Sequence, residues 1–97
     1  MRAKLSEAEI SEAIVELPGW SVVDGRLHRE YQFAGFPEAF GFIATAAPTI
    51  QKMDHHPEWS NVYNRVTVDL STHDAGGITQ KDFDLALLLE GIASKLL

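Results

Sequence analysis

Residues 20–33 read WSVVDGRLHREYQF, two runs rich in β-branched and aromatic side chains on either side of Asp24-Gly25. An Asp-Gly pair supplies the positive φ angles of a type I′ turn, whose twist matches that of two antiparallel strands. The stretch therefore predicts a hairpin with Val22 opposite Leu27. That register puts Trp20, Val22, Leu27, Tyr31 and Phe33 on one face and His28, Glu30 and Gln32 on the other. An apolar face opposite a polar one is the signature of a sheet buried on one side, and His28 is expected to face solvent.

A second hairpin reads downstream, from Trp59 to Tyr63 and from Arg65 to Thr72, where Val66, Val68 and Leu70 alternate with Arg65, Thr67, Asp69 and Ser71. Ahead of the first hairpin, Ser6 and Glu9 form a capping box. Ile10, Ala13, Ile14 and Leu17 then recur at helical spacing until Pro18-Gly19. Between the hairpins a helix is expected from Pro37 to Met53 with Phe36, Phe40, Ile43, Ala47 and Ile50 as its apolar stripe. Pro48 lacks a backbone donor and predicts a kink, two pieces joined near Ala47, while His56 before Pro57 ends the run. After Ala75-Gly76-Gly77, Thr79 and Asp82 make a second capping-box pattern. The last helix carries Phe83, Leu85, Leu87, Leu88, Leu89, Ile92 and Leu96, apolar on more than one face. A chain this small cannot bury a helix all round, so the excess predicts a contact between subunits. The order α-β-β-α-β-β-α makes an α+β fold, with helices covering one side of an antiparallel sheet.

Ninety-seven residues, 45% of them hydrophobic, suit one domain over 1–97. Fourteen acidic residues against eight basic ones leave a net charge of -6, which repels a phosphate backbone and disfavours nucleic acid as a partner. The chain has no Cys, which excludes disulfides, thiolate nucleophiles and Cys-based metal centres, so chemistry falls to His, carboxylates and backbone. Arg2 and Lys4 precede Ser6, Glu7 and Glu9 in place of an apolar run, unlike a signal peptide. The longest apolar run, Leu85 to Leu89, is far short of the ~20 residues a bilayer needs. Cytoplasmic residence, with no membrane partner, is the expectation.

Three of the 4 histidines, His55, His56 and His73, fall at the end of a helix and the end of a strand. Neighbours on regular structure point apart, so His55 and His56 converge only where the backbone leaves the helix, which Pro57 forces. Gln51, one turn before His55, is placed to hydrogen-bond to it. Taken on composition alone, His55-His56-Pro57 reads first as a polar helix terminus in water, and Asp82 as the capping carboxylate of the last helix. Trp59 and Tyr63 read as sheet residues. The competing reading is a metal site from the histidines with Asp54 or Asp74, against which stands the lack of an H-x-x-x-H spacing on one element.

The run His55-His56-Pro57, Glu58-Trp59, Asn61-Val62-Tyr63, Leu70-Ser71-Thr72-His73 and then Asp82 resembles the signature of the pterin-4a-carbinolamine dehydratases. The resemblance implies a four-stranded antiparallel sheet with three helices on one face, and dimers or dimers of dimers. It implies loss of water from 4a-hydroxytetrahydropterin to give quinonoid dihydropterin, a hydro-lyase step that recycles tetrahydropterin. It also implies His55 and His73 as acid/base catalysts and His56 as a third site histidine that orients substrate. Gln51, Asp54, Pro57, Trp59 and Asp82 would then shape the substrate pocket, with no metal and no organic cofactor. Where the family has Glu four residues before the first motif histidine, this chain has Gln51. An amide holds an imidazolium less strongly than a carboxylate does, which predicts reduced activity. Relatives of this kind also act as interaction or assembly partners, the alternative reading, for which the apolar last helix would supply the surface.

Overall fold

The computed structural model describes residues 3–97, so the expectation for Arg2 lies outside the described residues. Helix α1 (Glu7–Ala13) runs into a 3-10 turn (Ile14–Glu16). Strands β1 (Ser21–Val23) and β2 (Arg26–Gln32) follow, then α2 (Phe36–Met53), β3 (Glu58–Val62), β4 (Arg65–Leu70), a 3-10 turn (His73–Ala75) and α3 (Gln80–Ala93). All four strands pair antiparallel in the order β1-β2-β4-β3, the expected α-β-β-α-β-β-α arrangement. Val22 pairs with Leu27 across Asp24 (φ 52°) and Gly25 (φ 74°), the turn that the Asp-Gly pair predicts. The capping box of Ser6 and Glu9 closes the start of α1 as read from the sequence.

Leu27, Tyr31, Val66, Val68 and Leu70 are buried under the helices; Arg29 shares their side of the sheet, while His28 and Glu30 of β2 and Thr67 and Asp69 of β4 lie on the open face. Val22 shares the apolar side but remains exposed, because β1 is a short edge strand that the helices overlap only partly. His28 is on the open face as expected, although its Nδ1 is hydrogen-bonded to Asp69 Oδ1 at 2.8 Å on the neighbouring strand. The second turn has two residues, Tyr63 and Asn64, where the sequence reading left only Asn64 between the strands. Tyr63 leaves the strand with φ 53°, and Asn61 Nδ2 donates to the carbonyls of Tyr63 and Arg65 to hold the reversal.

Two expectations for α2 are corrected. The helix is continuous through Pro48, because Ala44, whose carbonyl would have met the missing N–H, lies on the solvent side where water can replace the lost bond. The buried stripe is Ala39, Phe42, Ala46 and Ile50, while Phe36, Phe40 and Ala47 stay outside. Small side chains let a helix approach its neighbours closely. The Ala39/Ala46 face therefore packs inward with a single large ring, Phe42, which meets Tyr31 at 5.1 Å, Phe33 at 5.4 Å and Trp59 at 6.2 Å between ring centroids.

One polar cluster interrupts this core. Trp20 Nε1 donates to Glu90 Oε1 on α3 at 2.8 Å and the Tyr31 hydroxyl donates to the same oxygen at 2.5 Å. The Arg29 guanidinium lies 4.2 Å from the Tyr31 ring centroid, packed against Gly19, whose φ of 91° and lack of a Cβ admit it. Burial, together with the Glu90 carboxylate, pushes the Tyr31 phenol well above its ordinary value. The neutral phenol is favoured only in the folded state, so its stabilising contribution is whole below about pH 10 and is lost as pH rises from there toward the folded value. In a Tyr63→Phe variant, which isolates the signal, tyrosinate absorbance is expected to appear only together with loss of folded circular dichroism. Ionisation well ahead of unfolding would contradict the buried Tyr31–Glu90 bond.

Candidate active site

Helix α2 stops at Met53 because Asp54 adopts the left-handed conformation (φ 52°, ψ 43°), its N–H reaching back to the carbonyls of Gln51 and Ile50. The reversal takes His55 out of helical phase with Gln51. His55 turns inward and is buried, whereas Gln51 is exposed, and no hydrogen bond among the described residues joins them. The partner of His55 is Asp82, in the first turn of α3, with Nε2 2.5 Å from Oδ1.

Asp82 has no solvent exposure at all, so each lone pair it leaves unmet would be costly. Its Oδ2 accepts from the Thr79 backbone N–H at 2.8 Å, completing the capping box, and from the Thr72 hydroxyl at 2.9 Å. Thr72 has one hydroxyl proton and gives it to Asp82, so at the 2.7 Å Thr72–Thr79 contact Thr79 is the donor; Thr79 in turn accepts from the Lys81 N–H at 3.2 Å. Donation therefore runs one way, from Lys81 through Thr79 and Thr72 into the carboxylate, and the remaining oxygen faces the imidazole. Such a chain polarises each bond in it. With Asp82 accepting throughout, His55 Nε2 carries its proton in that bond, leaving Nδ1 for a bound molecule.

His73 enters from the end of β4. The Thr72 N–H donates to the Gly77 carbonyl at 2.8 Å and the Thr72 carbonyl accepts from Ala75 and Gly76. The loop closes on itself around Gly76 (φ 73°) and projects His73 outward. Asp54, His55, His56, Ser71, Thr72, His73, Asp74 and Lys81 line one cavity of about 320 Å³, at the small end of ligand pockets. His56 is exposed at its rim, with Nε2 3.9 Å from Asp54 Oδ1.

The three histidines and Asp54 thus meet around a single space, and Asp82 stands behind His55. Gln51, Pro57 and Trp59 do not line it. Trp59 packs edge-on against Phe42, since its place on β3 turns it to the helix side of the sheet; Pro57 instead carries the chain from His56 into β3. Thr72, Thr79, Ser71 and Lys81 are additions that the sequence reading did not put in the site, and Asp74 entered it there only as a ligand in the metal reading. For Thr79 the signal was present in the capping box. For Thr72 there was only its position before His73, because its bond to Asp82 crosses from β4 to α3. Among the described residues, no group of three or more His, Asp or Glu side chains is close enough to hold a metal ion.

The sequence pattern of the family described as pterin 4 alpha carbinolamine dehydratase matches residues 3–92. The chain belongs to that family. A Solibacter usitatus protein named for this dehydratase is 60% identical over 94 residues, covering 97% of this chain and 99% of its own. One from Burkholderia multivorans is 50% identical over 94% of this chain and 91% of its own. The crystal structure of a transcriptional coactivator/pterin dehydratase from Brucella melitensis superposes with a TM-score of 0.89 at 48% identity, covering 93% of this chain and 98% of that one. Dehydratases of this kind are hydro-lyases. No helix among the described residues is long and apolar enough to cross a membrane.

Removing the Asp82 carboxylate leaves the buried His55 Nε2–H and the Thr72 hydroxyl without an acceptor, at about 1–3 kcal/mol for each. Asp82→Ala also uncaps α3, so urea denaturation should find it about 3–5 kcal/mol less stable, against about 1–2 kcal/mol for Thr72→Val, where one hydroxyl bond is lost. Gln51→Ala should fall within about 0.5 kcal/mol of the parent. A Gln51 effect as large as that of Asp82 would mean that residue 51, and not Asp82, holds His55.

Proposed function

We propose that this protein dehydrates 4a-hydroxytetrahydropterin to quinonoid dihydropterin and water by histidine acid/base catalysis, recycling tetrahydropterin in the cytoplasm. The observation that carries the reading is the pairing of a buried His55–Asp82 dyad with His73 on the same cavity. The reaction breaks the C4a–O bond, removes the proton on N5 and delivers a proton to the departing hydroxyl, so that the N5 electron pair closes the new C=N bond. His55, its Nε2–H held by Asp82, takes the N5 proton on Nδ1, and the carboxylate balances the imidazolium that forms. His73, exposed and able to exchange protons with water, protonates the hydroxyl. His56 and Asp54 at the rim orient the ring. No step calls for a metal or an organic cofactor.

Gln51 has no part in this scheme, because the left-handed turn at Asp54 separates it from His55. The substrate is a small pterin, with neither nucleic acid nor membrane as partner. The protein is proposed to be a homodimer or homotetramer, built on apolar side chains that the core leaves out: Phe36 and Phe40, with ring centroids 5.8 Å apart on α2, and Leu87 and Leu88 on α3. An interaction or assembly role is the second reading. The same exposed side chains favour it.

Dehydration of synthetic 4a-hydroxytetrahydropterin, followed by absorbance, should be accelerated by the protein and unaffected by EDTA. His55→Ala and His73→Ala should each lower kcat by about 10²-fold or more, while His56→Ala should chiefly raise KM. Equal and small effects at the three positions would overturn the acid/base scheme and favour the second reading. For the assembly, light scattering should give a mass of two or four chains, and Phe40→Glu should lower it. A monomeric parent at high micromolar concentration would rule out the oligomer.

A further inference from the structure

The loop that carries His73 is thinly supported on its return limb. Gly76 and Gly77 line a cavity of about 230 Å³ on the side of Asp24 and Arg26 and another of about 340 Å³ on the side of Ile10 and Val22, so the limb runs between two open spaces. Across the base of the loop the Thr72 N–H donates to the Gly77 carbonyl at 2.8 Å. The return bond, from the Gly77 N–H to the Thr72 carbonyl, is stretched to 3.4 Å, beyond the usual range, because that carbonyl already accepts from Ala75 and Gly76. One short hydrogen bond is thus what the loop supplies to hold its own return limb.

A second hold comes from the residues ahead of α1. The Leu5 N–H donates to the Ile78 carbonyl at 2.9 Å, and the Lys4 side chain lies on Gly77: a Cβ on residue 77 would stand 2.5 Å from Lys4 Cδ and 3.0 Å from Lys4 Cγ. Gly77 is not among the glycines with positive φ, so the space taken by the Lys4 stem, and not the backbone conformation, is what calls for glycine there. The holding segment is itself fixed. Ser6, next in the chain, caps α1 through reciprocal bonds with Glu9, and Leu5 packs against the core.

Resting on the dehydratase reading, we infer that Lys4 is a positioning residue for His73: its methylene stem, seated on Gly77 beside the Leu5–Ile78 bond, clamps the return limb and, through the Thr72–Gly77 pair, keeps His73 at the cavity. Lys4 touches no reacting atom. The methylenes meet Gly77, so the stem carries the effect and the ammonium is free to reach water. Releasing the clamp loosens the proton-giving side of the site alone, because Asp82 still holds His55 and the rim residues Asp54 and His56 belong to the end of α2. The loss therefore falls on kcat.

Lys4→Gly should lower kcat about fivefold or more, with KM and the urea midpoint close to those of the parent. It should also speed hydrogen exchange at the Thr72 N–H by about fivefold or more, the scale of one ordinary hydrogen bond. Lys4→Met keeps the stem without the charge and should restore both. Gly77→Ala, whose methyl group displaces the stem, should match Lys4→Gly, and the double variant should be no worse than either single one, as expected of two changes that break the same contact. Parent-like kcat or parent-like exchange in Lys4→Gly, failure of Lys4→Met to restore them, or effects that multiply in the double variant would each overturn the clamp while leaving the dehydratase reading intact. A parent protein that does not turn over 4a-hydroxytetrahydropterin overturns the dehydratase reading instead, and the exchange rates of Lys4→Gly and Lys4→Met then decide the clamp on their own.

Discussion

The buried carboxylate of Asp82 is the constraint around which the rest is arranged. Burying a charge in a domain of this size is expensive, and it is tolerated because both oxygens are engaged: the Thr79 N–H, the Thr72 hydroxyl and the His55 imidazole all converge on them. Each donor comes from a different place in the chain, the start of α3, the end of β4 and the turn after α2. One side chain thus fastens three elements together and aims a histidine at the same time. Its structural and chemical roles are one set of hydrogen bonds, divided between two oxygens.

Glu90 repeats the device eight residues along α3, where Trp20 and Tyr31 donate to a single oxygen. With a carboxylate anchored near each end, α3 has a fixed roll against the sheet although its surface is apolar nearly all round. A uniformly greasy helix specifies its own rotation poorly, since many orientations bury similar area. The two polar anchors remove that freedom, which keeps Asp82 opposite His55.

Features governed by short-range rules were legible in the sequence. The Asp24-Gly25 turn set the register of the first hairpin, alternation set the buried face of β4, and two capping boxes marked the helix starts. The histidines of the site were also legible, because the spacing of a family signature carries three-dimensional information that composition lacks. Failures arose where a non-local or solvent effect decided the outcome. The aromatic stripe of Phe36 and Phe40 looked like the core face of α2, but close packing selected Ala39, Phe42 and Ala46. Pro48 failed to break the helix because its cost fell on the wet side. Gln51 was linked to His55 by helical arithmetic that one left-handed residue, Asp54, cancels, and Trp59 was drawn to the site by its motif although strand alternation turned it toward Phe42.

The site sits at breaks in secondary structure, yet its members need not be mobile. Asp54 closes α2 with its own N–H, Thr72 satisfies donors and acceptors within the 72–77 loop, and Thr79 caps α3, so each break consumes its orphan backbone groups locally. The side chains between those closures are then the polar groups left to face solvent or a ligand, which is what a shallow catalytic cavity requires. His55 is the exception that gives the cavity its asymmetry. Buried and held by Asp82, it has one ring nitrogen committed and one available, whereas His56 and His73 at the exposed margin exchange protons with water. In the proposed dehydration, one fixed and desolvated imidazole beside a solvated one would separate the proton-taking and proton-giving ends by environment alone, without any difference in residue type.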